Sequence, residues 1–235
     1  MIVQKIYHQG EEVNKILDSY GNIVFQKTAE MTNDIMFHTK SSVDGVNYFT
    51  VYYTDGTQKD MKYSEPNNEY VFPIPTDKTV RLINFGTSYI DEVTVSCKIK
   101  LSSDLLNSKP STIRLLTCDA TESKDLTQSF KYMDSPQKLV EIRNLDARNA
   151  TRMSNLFGES YNIQQIIMMD LNVSKVTDMS YMFNKCSGAT TIDIANWNTS
   201  SVTNLSNAFY YCQKVKALDL SSWNTINVTD MNNMF

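Results

Sequence analysis

Few side chains in this sequence have the types and spacing that metal binding or catalysis requires. Histidine occurs only as His8 and His38, and neither has a cysteine or a second histidine at the spacing of a zinc site. The cysteines form no CxxC pair, which argues against a redox motif; they are Cys97, Cys118, Cys186 and Cys212. We therefore predict no metal site, no cofactor, and free thiols that pack as small hydrophobic side chains.

Carboxylates offer the remaining route to catalysis, because two acids on one surface can act as general acid and general base. Glu141, Asp193 and Asp219 recur at related positions, and Ile167 interrupts the row that they form. A residue that is copied from unit to unit usually serves the repeat itself, through solubility or a lateral hydrogen bond. We therefore predict that the protein is not an enzyme.

Composition and charge restrict the function further. The chain has 235 residues, of which 41% are hydrophobic and 20% charged, as expected for a folded protein of about two domains. Its net charge is -4 without a basic block, so we expect no nucleic-acid binding. No apolar run is long enough to cross a bilayer, and residues 1–15 lack the continuous apolar stretch of a secretory signal. We expect neither membrane insertion nor export by the usual route.

The C-terminal half repeats itself with a period of 26 residues. Three segments align without gaps: 176–183 (Val-Thr-Asp-Met-Ser-Tyr-Met-Phe), 202–209 (Val-Thr-Asn-Leu-Ser-Asn-Ala-Phe) and 228–235 (Val-Thr-Asp-Met-Asn-Asn-Met-Phe). Trp197 and Trp223 follow the same step. Weaker copies begin at Ala150 and, after a single inserted residue, at Ser123. The strand-like segment Ile113-Arg-Leu115 precedes the copy at Ser123, so the array begins near Ile113.

Each unit combines two periodicities. Ile192-Asp-Ile194 alternates apolar and acidic residues, which predicts a short strand. Met179, Met182 and Phe183 have helical spacing, and the Thr-Asp pair before them suits a helix N-terminus, so this part predicts a short helix. Neither element can bury enough surface alone. The units must therefore stack on one another.

If the units stack, equivalent residues of neighbouring units lie side by side, and each such pair of tryptophans or cysteines has two interpretations. Trp197 and Trp223 would pack in the core, or they would form an aromatic recognition platform. Cys186 and Cys212 would remain free thiols, or they would approach closely enough for a disulfide. Core packing and free thiols are the interpretations that we prefer, because a disulfide needs strict geometry.

The clearest unit resembles the BspA-like leucine-rich repeat of bacterial surface proteins. It reads Leu-Asp-Leu-Ser-Ser-Trp-Asn-Thr at 218–225 and Val-Thr-Asp-Met-Asn-Asn-Met-Phe at 228–235. The resemblance covers about half of the chain and is strongest from Val176 onward. It implies a leucine-rich-repeat-like solenoid that serves adhesion or protein recognition, and it carries over no catalytic residue.

The N-terminal half is rich in predicted strands. Two similar segments within residues 1–28, Val3-Gln-Lys-Ile and Val13-Asn-Lys-Ile, predict β-hairpins with turns at Gly10 and Gly21. Alternating segments separated by turns predict a small β-sandwich over residues 29–111; they are 48–53, 58–63, 70–74, 79–85 and 92–100. The run Lys5-Ile-Tyr-His, with Val13-Asn-Lys-Ile and Gly21-Asn-Ile-Val-Phe, resembles the opening of bacteriophage tail and other virion structural proteins. That resemblance implies a virion location and release by lysis.

These observations predict an α+β protein. An all-β N-terminal module of hairpins (1–28) and a sandwich (29–111) precedes a strand/helix solenoid of about five repeats (112–235). We expect a non-enzymatic binding or structural protein, a bacteriophage tail, head-fibre or decoration component that docks by its β module and presents the repeats for host-surface or subunit recognition. The alternative is a bacterial cell-surface adhesin. Partners would be other virion subunits, a host-surface protein or glycan, or further copies of this chain.

The predicted binding surface is the exposed strand face of the repeats, where successive units present different side chains on a rigid ladder. Its members form two adjacent rows: Lys138, Gln164, Thr190 and Lys216, and Glu141, Ile167, Asp193 and Asp219. The last unit carries no polar cap. We therefore expect further protein or another subunit to cover it, through Met231, Met234 and Phe235.

Overall fold

The computed structural model divides the chain into two compact units, Met1–Glu30 and Met31–Phe235. The structure describes residues 7–8, 11–12, 15–17, 23–26, 33–39, 47–63, 69–84, 90–102, 105, 112–131, 139–169, 171–194 and 197–235. In the first unit, β1 (Tyr7–His8) pairs antiparallel with β2 (Glu11–Glu12), and β3 (Lys15–Leu17) pairs antiparallel with β4 (Ile23–Gln26). The turns predicted at Gly10 and Gly21 lie outside the described residues.

Six strands build the first part of the second unit. They are β5 (Asp34–Thr39), β6 (Asn47–Tyr53), β7 (Gln58–Tyr63), β8 (Glu69–Pro73), β9 (Val80–Asn84) and β10 (Ile90–Ser96). β6 pairs antiparallel with both β7 and β9 in a three-stranded sheet, and β5 lies between β8 and β10 in a larger sheet. The two sheets meet where the Phe49 ring packs edge-on against the Phe72 ring, at 5.0 Å between centroids.

Four parallel strands extend the larger sheet. They are β11 (Thr112–Leu116), β12 (Leu139–Arg143), β13 (Gln165–Met169) and β14 (Thr191–Asp193). Because β10 pairs parallel with β11, one seven-stranded sheet runs in the order β14-β13-β12-β11-β10-β5-β8. The sheet therefore joins strands from both sides of the boundary predicted between the sandwich (29–111) and the repeats (112–235).

The 26-residue step of the sequence is the step between neighbouring strands. Ile166 pairs with Val140 on one side and with Ile192 on the other. The first step is longer by the single inserted residue, because Ile113 pairs with Val140. These four apolar residues are all buried, and the residues that alternate with them point to the opposite face of the sheet. Burial of each such side chain contributes roughly 1.5–3 kcal/mol.

The predicted α+β class and the strand/helix solenoid are wrong. Every regular element in the described residues is a strand, so the described chain is all-β. The segments predicted as helices are successive turns at 127–131, 154–159, 180–185 and 206–211. Within that described part, nothing has the helical length and hydropathy that a membrane-spanning helix needs.

Backbone hydrogen bonding explains why these segments are not helical. An α-helix directs each N–H to the carbonyl four residues earlier. Here the N–H groups of alternate residues donate to the next unit instead, as Met153 does to the Asp178 carbonyl (2.9 Å) and Phe157 to the Met182 carbonyl (2.8 Å). A left-handed residue such as Tyr181 (φ 57°) also interrupts each turn. The spacing that predicted a helix also occurs in consecutive turns, each closed by a backbone hydrogen bond between residues i and i+3.

The turn segments contribute their own column of aromatic rings to the core. Phe130, Phe157, Phe183, Phe209 and Phe235 stack in sequence with centroid separations of 5.1, 5.7, 5.3 and 5.8 Å. Trp197 and Trp223 stack in a second column at 6.2 Å. Trp197 is 1% exposed, so the core interpretation of that residue is confirmed.

Candidate binding surface

One face of strands β11–β14 points away from the core, and we call this surface the strand face. Its position follows from the two-residue period of a strand, which buries Ile113, Val140, Ile166 and Ile192 and leaves their sequence neighbours on the opposite side. The strand face consists of Thr112, Arg114, Leu116, Leu139, Glu141, Arg143, Gln165, Ile167, Met169, Thr191 and Asp193. Each of these is partly or fully exposed.

An ion-pair network occupies the middle of the strand face. The Glu141 carboxylate accepts a hydrogen bond from Arg114 Nε at 3.1 Å and also pairs with Arg143 Nε. Arg143 reaches onward, because its guanidinium lies 3.0 Å from the Met169 sulfur. The Glu141 side chain is 16% exposed, so the two arginines screen it from solvent. The network fixes two planar guanidinium groups on the surface before any partner arrives.

Apolar side chains flank this network. Leu116, Leu139, Ile167 and Met169 are all half-buried on the same face. A surface that combines arginine, methionine and aliphatic side chains has the composition of the centre of a protein interface, where arginine and methionine are enriched and lysine is depleted.

The structure brings together one of the two predicted rows. Glu141 pairs with Ile167, and Ile167 pairs with Asp193, so these three lie side by side across three strands. Asp219 continues the sequence pattern in the next unit, where the described backbone forms no strand. It is exposed, and hydrogen bonds from the Ser221 hydroxyl and N–H lower the pKa of its carboxyl.

The second predicted row lies one residue before the strands. Gln164 and Thr190 are exposed neighbours, because the Thr190 N–H donates to the Gln164 carbonyl at 2.9 Å. Successive strand residues alternate between faces, so Gln165 and Thr191, rather than Gln164 and Thr190, share a face with Ile167 and Asp193. Lys216 is exposed in the following unit, and Lys138 lies outside the described residues.

Sequence reasoning missed several members of the strand face. Arg114, Arg143 and Met169 carry the contacts just described, and each stands two residues from another outward position. The two-residue period that identified Ile192-Asp-Ile194 as a strand predicts all three once the strand bounds are known. The 26-residue repeat is weaker in the earlier units, so it did not indicate where β11, β12 and β13 begin and end.

The predicted contact residues at the C-terminal unit differ in exposure. Met234 is buried, whereas Met231 and Phe235 are exposed. A cavity of about 420 Å³ opens beside Phe235. It is lined by Phe209, Tyr211, Cys212, Gln213, Val215, Lys216, Ala217, Leu218 and Phe235.

The cysteines are free thiols, of which Cys97, Cys118 and Cys186 are buried and Cys212 is partly buried. Cys186 Sγ–H donates to the Phe157 carbonyl at 3.3 Å, and Cys212 Sγ–H donates to the Phe183 carbonyl at 3.1 Å, so each thiol bonds to the preceding unit. Burial raises the pKa of the Cys212 thiol to about 11 and that of Cys118 to about 12. Burial also raises the pKa values of Cys97 and Cys186. Thiols held in the neutral form are poor nucleophiles and poor metal ligands.

No group of three or more metal-ligating side chains occurs among the residues that the structure describes. The side chains of His8 and His38 lie outside the described part. The absence of a metal, a cofactor and an enzyme activity therefore stays a prediction.

The repeats match one family model. Residues 124–235 match the family described as "Mycoplasma protein of unknown function, DUF285". The match starts in the first weak repeat and includes β12, β13 and β14. No curated protein and no solved structure matches the chain. The resemblances to BspA-like repeats and to virion proteins stay predictions.

Proposed function

We propose that this protein is a non-enzymatic binding protein that recognises a partner protein through the strand face. The observation that carries the proposal is the contrast between the two faces of β11–β14. The inward face repeats similar aliphatic residues, whereas the outward face presents Arg114, Glu141, Ile167 and Asp193 at equivalent positions. If these outward residues only stabilised the repeat, we would expect the same residue type on every strand.

The rigidity of the strand face supports the same proposal. Parallel pairing fixes each outward side chain about 4.8 Å from its neighbour, and the opposite face is sealed against the core. Arg143 is held by both Glu141 and Met169. A preorganised surface loses less side-chain entropy when a partner binds, which raises affinity without additional contacts.

Substitutions on the strand face test the proposal. Partners cross-linked to the wild-type chain are identified by mass spectrometry and compared with those of Ile167→Lys/Asp193→Lys, which places two ammonium groups on the surface while the inward residues stay unchanged. The matched control is Lys175→Glu, an exposed change outside the strand face. We expect one partner to disappear in the double variant and to remain in the control. Equal recovery from both variants would contradict the proposal.

We also propose that the protein acts in a virion, as the N-terminal sequence resemblance implies, with a bacterial cell-surface adhesin as the alternative. Mass spectrometry of purified particles and of cell-surface fractions from the producing organism separates the two. Recovery in particles supports the virion location and directs the search for partners to neighbouring subunits and host receptors. Recovery only at the cell surface supports the adhesin.

A further inference from the structure

The outward face of the seven-stranded sheet continues past the repeats onto β10, β5 and β8. Residues that pair across neighbouring strands point to the same face of a sheet. Arg114 on β11 pairs with Thr94 on β10. Thr94 pairs in turn with Met36 on β5, and Met36 pairs with Val71 on β8. One row of side chains therefore crosses all seven strands. We call it the long row, and its members are Val71, Met36, Thr94, Arg114, Glu141, Ile167 and Asp193.

The members of the long row on β10, β5 and β8 lie on the outward side. Phe72, the sequence neighbour of Val71, is buried on the opposite side, where its ring packs against Phe49 of the smaller sheet. Met36 and Thr94 are half-buried, and Val71 is 49% exposed. A valine with this exposure removes little apolar surface from water on folding, so core packing does not explain it.

The width of the sheet indicates how much of the outward face a partner needs. Neighbouring strands lie about 4.8 Å apart, so β11–β14 span roughly 14 Å and all seven strands span roughly 29 Å. A stable protein complex buries about 800 Å² on each partner, which corresponds to a patch about 30 Å across. Beyond β14 the described backbone forms no strand, so the sheet offers this width only toward β8.

The long row has an apolar side chain near each end and charged groups in its middle. Val71 and Met36 lie at one end, and Ile167 lies near the other with the half-buried Met169 on the same strand. The ion pair of Arg114 lies between them. Methionine and arginine are enriched at protein interfaces, and parallel strands such as β11–β14 are usually covered on both faces. The long row therefore fits a protein surface with apolar contacts on either side of a polar centre.

A second copy of this chain is a poor occupant of the long row. Arg114 is the middle member, with three members on each side. Two copies that met face to face would be related by a two-fold axis. An axis through the middle of the row would bring two Arg114 guanidinium groups together, and like charges placed opposite each other are destabilising. A different protein fits better.

We propose that one folded protein, different from this chain, covers the long row from Ile167 to Val71. The recognition surface then includes β10, β5 and β8 as well as the strand face. This inference rests on the proposed function, because it assigns further contacts to the same partner. Its distinct consequence is that the strands before the repeats contact the recognised protein directly.

The test places the photo-cross-linking residue p-benzoylphenylalanine at Val71 or at Ile167 of the full chain, expressed in the producing organism. Cross-linked products are identified by mass spectrometry after irradiation. We expect the same polypeptide from both positions, which lie roughly 24 Å apart. The matched control carries the probe at Gln58, which is exposed on β7 in the smaller sheet and should not cross-link that polypeptide.

A charge at one end of the long row should also weaken the contact at the other end. Val71→Lys should lower the yield of the cross-link from the Ile167 position at least fivefold. Gln58→Lys adds the same charge to the smaller sheet and should change that yield less than twofold. Both substituted side chains are exposed, so the melting temperature should stay the same in the two variants.

The outcomes separate this inference from the proposed function. A product from Ile167 alone, or different products from the two positions, would overturn the long row and leave the strand face as the site. A product from Val71 alone, or from neither position, would overturn both. A cross-link found only between two copies of this chain would overturn the choice of a different protein as the occupant.

Discussion

The indole N–H of Trp197 donates a 2.9 Å hydrogen bond to the buried carbonyl oxygen of Met168 in the sheet. Trp223 stacks on Trp197 at 6.2 Å, one unit later, but its buried indole nitrogen has no hydrogen-bond partner. The two tryptophans therefore share a position in the repeat and differ in two ways, because Trp197 is fully buried and makes this bond, whereas Trp223 is partly buried and makes none. Substitution of each measures the combined contribution of the bond and of the deeper burial.

Trp197→Phe should lower the free energy of unfolding by about 2 kcal/mol or more, because it removes ring volume from the core and leaves the Met168 carbonyl without a donor. Trp223→Phe should cost less than about 1 kcal/mol, since its ring is only partly buried and breaks no hydrogen bond. Urea unfolding followed by circular dichroism measures both values. Equal losses in the two variants would contradict a contribution from the Trp197 bond and its deeper burial.

The phenylalanine column should be most sensitive in its interior. Phe157 lies between Phe130 and Phe183 and is fully buried, so Phe157→Ala should cost about 3–5 kcal/mol. Phe235 contacts Phe209 and is 72% exposed, so Phe235→Ala should cost less than about 1 kcal/mol. Thermal and urea unfolding measure the loss of unfolding free energy in each of the two variants. A large loss at Phe235 would show that its ring is covered in solution.

The repeat period, the paired tryptophans and the positions of β6–β9 could be predicted from sequence, because each depends on a local pattern that recurs or alternates. The helices could not be distinguished from turns in the same way. Met179, Met182 and Phe183 have the spacing of a helix face, and the same spacing serves two consecutive turns. The decisive contacts are hydrogen bonds to the next unit, such as that from the Phe183 N–H to the Ala208 carbonyl at 2.8 Å. Spacing within one unit does not contain that information.

The candidate surface was predicted in part for a related reason. The row through Glu141, Ile167 and Asp193 depends only on the period, and it lies in register. The row through Gln164 and Thr190 required the first residue of each strand, and an error of one residue moves a side chain to the other face.

Close backbone approach makes Gly188 sensitive to substitution. A Cβ atom at Gly188 would lie 2.4 Å from the Tyr161 carbonyl oxygen and 3.0 Å from that of Ile163. Backbone oxygens of the neighbouring unit cannot move away cheaply, so Gly188→Ala should cost about 2–3 kcal/mol. Gly158→Ala is the matched control, because its nearest obstacle is the Asn155 side-chain amide, which can rotate. Differential scanning calorimetry should show the larger drop in melting temperature for Gly188→Ala.

The Thr-Asp pair that resembled a helix N-terminus closes a turn instead. The Asp178 carboxylate accepts a hydrogen bond from the Ser180 N–H at 3.0 Å, and Asn204 makes the equivalent bond to the Ser206 N–H at 2.9 Å. Asp178→Ala should therefore cost about 1 kcal/mol, and Asp178→Asn should cost less than about 0.5 kcal/mol because its amide oxygen can accept the same bond. Chemical unfolding of the two variants provides the measurement. A loss at Asp178→Asn as large as that at Asp178→Ala would mean that the charge, rather than the acceptor, stabilises the turn.

Alkaline pH should destabilise the fold through its buried thiols. The ordinary thiol pKa is 9.0, and burial raises the pKa of Cys212 to about 11 in the folded chain. Above pH 9 the unfolded chain loses protons that the folded chain retains, so the unfolded state gains stability as pH rises toward 11. Cys212→Ser removes this thiol and can still donate to the Phe183 carbonyl. Urea midpoints measured between pH 7 and pH 11 should therefore fall less steeply in Cys212→Ser than in the wild type, by on the order of 1–2 kcal/mol over that range. Parallel pH profiles of the two proteins would show that Cys212 ionises as easily in the folded chain as in the unfolded one.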